Sequence, residues 1–274
     1  MSVRIGIDVG SSLTKMALQR SSGPVQYRLL GGSTQEQLLK TLLRSRPTVL
    51  GLTGGGAAHL AARLQLRSVQ VNEFTAWGTG ANRMLQSALD SQAYLLVSLG
   101  TGTSVMAVEG DEVRRVGGTA LGGGTVVGLG AALLKRKKFS DTCALAAKGQ
   151  RDSVDLLVRD IYPDPHRPLN GDLTASSFGR LSRTSALPPL EDVACAIMRL
   201  VGENVALIAG GHAQRLGIKQ VVFGGSTLRN NPALADVLRE VSALLQLEAY
   251  ILEQGEFAGA LGALAWTPEG EGDG

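Results

Sequence analysis

The 274-residue sequence predicts an α/β protein built from two lobes. Strands alternate with helices along both halves of the chain, the pattern of layered α/β folds. A strand–turn–strand device with a Gly/Ser/Thr turn opens each half, first around Gly10-Ser11-Ser12 and again around Gly100-Thr101-Gly102. The length exceeds the usual single-domain size. A composition shift at Asp90–Gln92 marks the boundary, giving lobes of residues 1–92 and 93–274.

In order, Val3–Val9 and Leu13–Gln19 read as a hairpin. Thr34–Arg46 has helical leucine spacing and ends at Pro47. Thr48–Thr53 is a short buried strand running into Gly54–Gly56, followed by a helix over Ala57–Leu64, a strand over Val69–Val71 and a helix over Asn72–Leu89. Beyond the boundary, strands are expected at Tyr94–Leu99, Ser104–Val108 and Glu112–Val116. Helices are then expected over Thr125–Lys137, Asp141–Lys148, Ser153–Ile161, Ala175–Ser182 and the long span Leu190–Arg215. A buried strand (Lys219–Phe223), a helix (Pro232–Leu244), a strand (Glu248–Leu252) and a helix (Phe257–Trp266) follow. A Gly/Glu-rich tail, Thr267–Gly274, is expected to be disordered.

Composition narrows the function. The 36 glycines, about twice the usual share, cluster in short runs that mark tight turns or close backbone approach to a ligand. A net charge of +3 with dispersed basic residues, and 4% aromatics, point away from nucleic acid. The basic run Lys135–Lys138 reads as a solvated helix end. Two distant cysteines, Cys143 and Cys195, and three isolated histidines, His59, His166 and His212, form neither a disulfide framework nor a zinc cluster. With no signal peptide and no long apolar stretch, the chain is expected to be cytoplasmic, with no membrane segment.

Three loops carry the chemistry. Asp8-Val9-Gly10-Ser11-Ser12-Leu13-Thr14-Lys15 puts a carboxylate at a strand end beside a small-residue turn. Its N–H and hydroxyl groups suit phosphate oxygens, and the Asp8 carboxylate suits Mg²⁺ held through water. Ser98–Ser104 repeats the device, so two hairpins could grip one triphosphate from opposite sides. The third, Gly224-Gly225-Ser226 after a buried strand, suits a ribose or adenine lying against the backbone. Gly122-Gly123-Gly124 before a helix reads as an anion site made of free N–H groups, or as a hinge. The absence of GxxxxGK[ST] removes P-loop chemistry, and the absence of GxGxxG and GxSxG weighs against a dinucleotide fold and a nucleophile elbow. Phosphoryl transfer to an alcohol needs a proton acceptor, and Glu73, where a strand meets a helix, is the candidate base. Arg114 and Arg115 are candidates for gripping an anionic substrate.

Together, Asp8–Lys15, Glu73 in Asn-Glu-Phe, Gly100–Ser104, Arg114–Gly118, Gly122–Gly130, Gly171–Gly179 and Gly255–Leu264 resemble the type II pantothenate kinases, over nearly the whole chain. The resemblance implies the two-lobed actin/hsp70/hexokinase-like (ribonuclease H-like) fold with ATP in the interlobe cleft, a homodimer, and phosphorylation of pantothenate by MgATP. It implies ATP contacts from Asp8, Val9, Gly10, Ser11, Ser12, Leu13, Thr14 and Lys15. Further ATP contacts would come from Thr101, Gly123, Gly124, Thr125, Val126, Val127, Phe139 and Ser226. Glu73 would be the base and Arg115 the contact to the pantothenate carboxylate. Two departures bear on ATP affinity: Ser11-Ser12 stands where bacterial members carry Gly-Thr, and Phe139 where a staphylococcal member carries Tyr. A sugar or amino-sugar kinase of the same fold is disfavoured by the missing zinc cluster and Asn-Asp base motif. A non-catalytic ATP sensor would need neither Asp8 nor Glu73.

Overall fold

The structure, a computed structural model, describes residues 2–31, 40, 42, 44–64, 66–86, 88–89, 93–162 and 170–268. Most of the helix expected over Thr34–Arg46, the boundary at Asp90–Gln92, His166 and most of the tail lie outside the described residues.

Two five-stranded sheets organise the chain. The first contains β1 (Val3–Val9), β2 (Leu13–Arg20), β3 (Gln26–Gly31), β4 (Val49–Thr53) and β5 (Ser68–Gln70), in the order β3-β2-β1-β4-β5. After it come β6 (Ala93–Leu99), β7 (Thr103–Glu109), β8 (Glu112–Thr119) and a two-stranded ribbon of β9 (Leu156–Leu157) and β10 (Thr174–Ser176). With β11 (Gln220–Gly224) and β12 (Glu248–Ile251), the second large sheet runs β12-β11-β6-β7-β8. In each sheet the first three strands form an antiparallel meander and the last two add in parallel beside the first. The sequence therefore repeats one topology twice, and the Gly/Ser/Thr hairpin turn occupies the same place in both copies. The edge strand β3, with its mixed exposure, is an element the sequence pattern did not reveal.

Helices are α1 (Ala57–Leu64), α2 (Glu73–Leu85), α3 (Gly123–Leu129), α4 (Phe139–Ala146), α5 (Leu190–Leu216), α6 (Pro232–Leu244) and α7 (Ala258–Ala265). A π-helical turn, Gly130–Leu134, extends α3, and α2 ends at Gln86 in a left-handed conformation. Two expected helices do not form as read. The stretch expected to be helical at Ser153–Ile161 instead contains β9 and one helical turn, Val158–Ile161, started by an Asp160 carboxylate that accepts the Leu157 N–H at 2.8 Å. The stretch at Ala175–Ser182 gives β10 and a 3₁₀ turn, because Phe178 is left-handed and its N–H donates to Asp155 at 2.8 Å. Short polar side chains that bond locally to the backbone compete with helix here.

The second sheet and α5 enclose the largest core, which includes Val97, Val105, Ile197, Val201, Val205 and Phe223, all fully buried. Among the described residues α5 alone has the length and apolarity of a membrane span, but 72% of its most apolar window is buried, marking it as a core helix. Arg199 on α5 holds Glu203 on the next turn and clasps Glu240 of α6 with contacts of 2.5 and 2.8 Å.

The last helix does not stay with the second sheet. α7 lies between β1, β4 and α2, and it does so backbone against backbone. A Cβ built on Gly6 would stand 2.0 Å from the Ala260 carbonyl, one on Gly51 2.0 Å from that of Ala263, and one on Gly80 1.9 Å from that of Ala258. One on Gly262 would stand 1.7 Å from the Ala76 carbonyl. No side chain fits at these positions without moving main chain. Gly262→Val is expected to lower stability by about 3 kcal/mol or more in urea unfolding, the upper end of overpacking costs. Gly211→Ala, in open space on α5 among the described residues, is expected to raise stability by about 0.5–1 kcal/mol.

Candidate active site

The site forms where the two hairpin turns face each other. Asp8 is the penultimate residue of β1 and pairs with Lys15 of β2 directly opposite, so the register itself sets them side by side. Both are buried, at 3% and 9% exposure, and the ammonium meets the carboxylate at 3.2 Å. Room for the Asp8 carboxylate comes from two glycines. A Cβ on Gly54, whose φ is +87°, would stand 2.6 Å from Asp8 Oδ1, and one on Gly259 would stand 3.0 Å from Oδ2.

Glu73 is the first residue of α2. Asn72 caps that helix by accepting the Phe74 and Thr75 N–H groups at 2.9 and 3.4 Å, which orients the turn carrying Glu73. The Glu73 carboxylate shares with Asp8 and Lys15 a cavity of about 320 Å³. Burial, then the nearby Asp8 charge, push the Glu73 carboxyl above its ordinary range, while Lys15 opposes. Burial likewise raises Asp8, again against Lys15. One carboxyl held above its usual range beside a second and a single ammonium is the arrangement a proton acceptor needs.

The hairpin tips complete the cavity. Ser11 Oγ and Ser12 Oγ each lie 2.9 Å from Thr101 Oγ1, so three hydroxyls converge across the cleft from the two sheets. Ser98, Gly102, Thr103 and Ser104 line the far wall. A second cavity of about 360 Å³ shares Ser12, Leu13, Gly100, Thr101 and Ser226 with the first and is otherwise bounded by Gly123, Gly124, Val127, Phe139, Thr227 and Arg229. The first chamber is dominated by polar and small residues. The second offers the Phe139 ring and an aliphatic wall, which suits a base.

The three glycines before α3 have a different role from the free anion site expected. The Gly123 N–H donates to the Gly100 carbonyl at 2.8 Å and that of Gly124 to the Thr101 carbonyl at 2.9 Å. The Gly122 N–H is taken by Thr125 Oγ1 at 3.3 Å. A Cβ on Gly122 would meet the Thr101 carbonyl at 2.7 Å. The helix start therefore braces the second hairpin turn, and Thr227 Oγ1 adds a bond to the same Gly100 carbonyl at 2.8 Å.

Of the positions singled out from sequence, Asp8, Gly10, Ser11, Ser12, Leu13, Lys15, Glu73, Thr101 and Ser226 line the first cavity, and Gly123, Gly124, Val127 and Phe139 the second. Val9, Thr14, Thr125 and Val126 line neither. The Val9 carbonyl accepts from Gly56, Thr125 bonds within its own helix start, and Val126 is fully buried in the core. The two arginines of β8 part company. Adjacent on one strand, they lie on opposite faces, Arg115 paired with Met106 and Arg114 with Ala107, and the register shift between Val105 and Met106 falls just beyond them. The Arg115 guanidinium reaches back over Gly118, where a Cβ would stand 2.7 Å from it, beside the cavity-lining Thr103 and Ser104. Arg114 lines a separate cavity with Lys219 and Glu248.

Trp77, Thr119, Thr227 and Arg229 line the two cavities without having been singled out. For Trp77 a signal existed: it lies one helical turn beyond Glu73, on the same face. Among the described residues no group of three or more His, Cys, Asp or Glu could cage a metal. Asp8 with nearby hydroxyls is instead the hard-oxygen set that suits Mg²⁺ shared with phosphates and water.

Solved structures share this architecture. Component A of (R)-2-hydroxyglutaryl-CoA dehydratase from Acidaminococcus fermentans superposes with a TM-score of 0.67 at 21% identity, covering 97% of this chain and 98% of that one. A ROK family glucokinase from Streptomyces griseus, in complex with glucose and AMPPNP, gives 0.60 at 13% identity, covering 98% and 100%. These likenesses establish the actin/hexokinase-like fold. Sequence relatives go further. A type II pantothenate kinase from Oceanobacillus iheyensis is 35% identical over 95% of this chain and 98% of its own length. One from Staphylococcus haemolyticus is 32% identical over 96% and 99%. The family model Fumble matches residues 81–266. With relatives of this identity spanning almost their full length, the chain belongs to the type II pantothenate kinase (Fumble) family.

Proposed function

We propose that the chain transfers the γ-phosphoryl group of ATP to the terminal hydroxyl of pantothenate, forming 4′-phosphopantothenate, the first step of coenzyme A synthesis. The observation that carries this reading is Glu73 in one polar cavity with Asp8, Lys15 and both hairpin tips. The names of the full-length relatives supply the substrate.

In this reading, the adenosine occupies the chamber bounded by Phe139 and Val127, and the phosphates pass the neck formed by Ser12, Leu13, Gly100, Thr101 and Ser226. The hydroxyls of Ser11, Ser12 and Thr101 bind phosphate oxygens from both sides. Lys15 supplies positive charge, and Asp8 would hold Mg²⁺ through water, that ion neutralising charge on the phosphate oxygens. Glu73 takes the proton from the attacking hydroxyl, and its raised pKa brings it closer to the working pH. Arg115, on the rim, pairs with the pantothenate carboxylate. The lobes of residues 1–92 and 93–274 contribute one hairpin each. A homodimer follows from the family resemblance, and the exposed Leu207 on α5 gives that helix an apolar outward position for it.

Glu73→Gln is expected to lower kcat by about 10²–10⁴-fold in a coupled ADP assay while nucleotide binding persists; near-normal turnover would remove Glu73 from its role. Because the base must be ionised and its pKa is raised, kcat/KM is expected to fall on the acid side at a pH above the ordinary glutamate value of about 4.3. Asp8→Asn removes a charge that raises Glu73, so this acid limb should move to lower pH while half-maximal activity requires more Mg²⁺. An unmoved limb together with an unmoved Mg²⁺ requirement would count against the placement of Asp8.

A further inference from the structure

The first cavity is walled by glycines, hydroxyls and charges, with two large apolar exceptions, Leu13 and Trp77. Leu13 also lines the second cavity, so it belongs to the neck between the chambers. Trp77 belongs to the first alone. It is 5% exposed, and its indole is wedged between two glycines. A Cβ on Gly259 would stand 3.1 Å from the indole nitrogen, and one on Gly224 would stand 3.4 Å from the far ring edge. The ring therefore spans the base of the cavity from the Asp8 side to the end of β11. Glu73 and Trp77 are four residues apart on α2, so their side chains project from one face, about 5–6 Å apart at Cβ.

We infer that Trp77 is a specificity-determining residue, the wall against which the branched, apolar carbon next to the acceptor hydroxyl packs. This rests on the pantothenate reading above. In that substrate the accepting hydroxyl sits on a CH₂ whose neighbouring carbon carries two methyl groups. A hydroxyl within reach of Glu73 places those methyls three bonds beyond its oxygen, toward the next helical turn. A flat indole held by Gly224 and Gly259 cannot turn aside, so it rewards the branched carbon and holds the CH₂–OH against the carboxylate. An alcohol lacking the methyls would leave space at the wall and a hydroxyl free to wander.

The test compares pantothenate with its analogue bearing two hydrogens in place of the two methyls. The wild-type protein is expected to prefer pantothenate by roughly 10–200-fold in kcat/KM, the discrimination an apolar pocket achieves per missing carbon. Trp77→Ala is expected to bring the two alcohols within about threefold of each other while KM for ATP changes less than about twofold, whereas Trp77→Phe keeps most of the preference. A merely structural tryptophan would lower both activities together and leave the ratio intact, and that result overturns the inference.

A second measurement leaves the site untouched. The chain has two tryptophans, and Trp266 is half-exposed. In Trp266→Phe, the emission of Trp77 should shift when pantothenate is added to protein loaded with a non-hydrolysable ATP analogue; no shift at saturation overturns the inference even where Trp77→Ala does not fold. A wild type that phosphorylates neither alcohol defeats both the function and this inference. One that phosphorylates pantothenate, with a Trp77→Ala variant of unchanged selectivity, defeats this inference alone.

Discussion

Everything catalytic in this molecule depends on how closely α7 approaches its neighbours. Gly6 and Gly51 let it touch the first sheet main chain to main chain, and Gly80 and Gly262 let it touch α2 in the same way. Close packing at this density transmits position rather than absorbing it. The strand that carries Asp8 and the helix that begins with Glu73 therefore share one rigid spacer. Gly259, on that spacer, opens the space the Asp8 carboxylate and the Trp77 indole occupy. The backbone positions from which the two carboxyls reach into the cavity are thus set by main-chain contacts.

The electrostatics follow from the same enclosure. Asp8 and Lys15 are buried while Glu73 opens toward solvent beside them, and partial desolvation still pushes both carboxyls upward while Lys15 holds them back. A buried ion pair of this kind adds little to stability on balance, because desolvation offsets attraction. Its value lies in polarity: it sets the charge environment that Glu73 meets. Opposite, the second hairpin turn is held from behind by the N–H groups of Gly123 and Gly124 and by Thr227, so its own hydroxyl faces the cleft.

Much of this was legible before any coordinates. Hairpins betray themselves by period-two apolar runs around a small-residue turn, and both Gly/Ser/Thr turns are legible that way. Glu73 stood out as a carboxylate at a strand–helix junction. What stayed hidden has physical reasons. The edge strand β3 has no clean alternation because it is half in solvent. The segments around Asp155 and Phe178 look helical by apolar spacing, yet side-chain bonds to the backbone divert them. The glycine run before α3 signals close approach, but composition alone does not distinguish approach to a ligand from approach to the chain's own carbonyls. The bulge in β8, which leaves Val116 unpaired between Arg115 and Gly117, is announced by no motif.

The position of α7 in the chain also shapes how the protein is made. Translation delivers β1 and β4 early and residues 258–265 more than two hundred positions later. Until that helix leaves the ribosome, the glycine-marked face of the first sheet has nothing to cover it, and the Asp8 pocket has no back wall. The amino-terminal half must wait, partly assembled and with apolar surface showing, for a partner of very high sequence separation. Such contacts close slowly, and the waiting intermediate is the species most exposed to aggregation or to capture by chaperones.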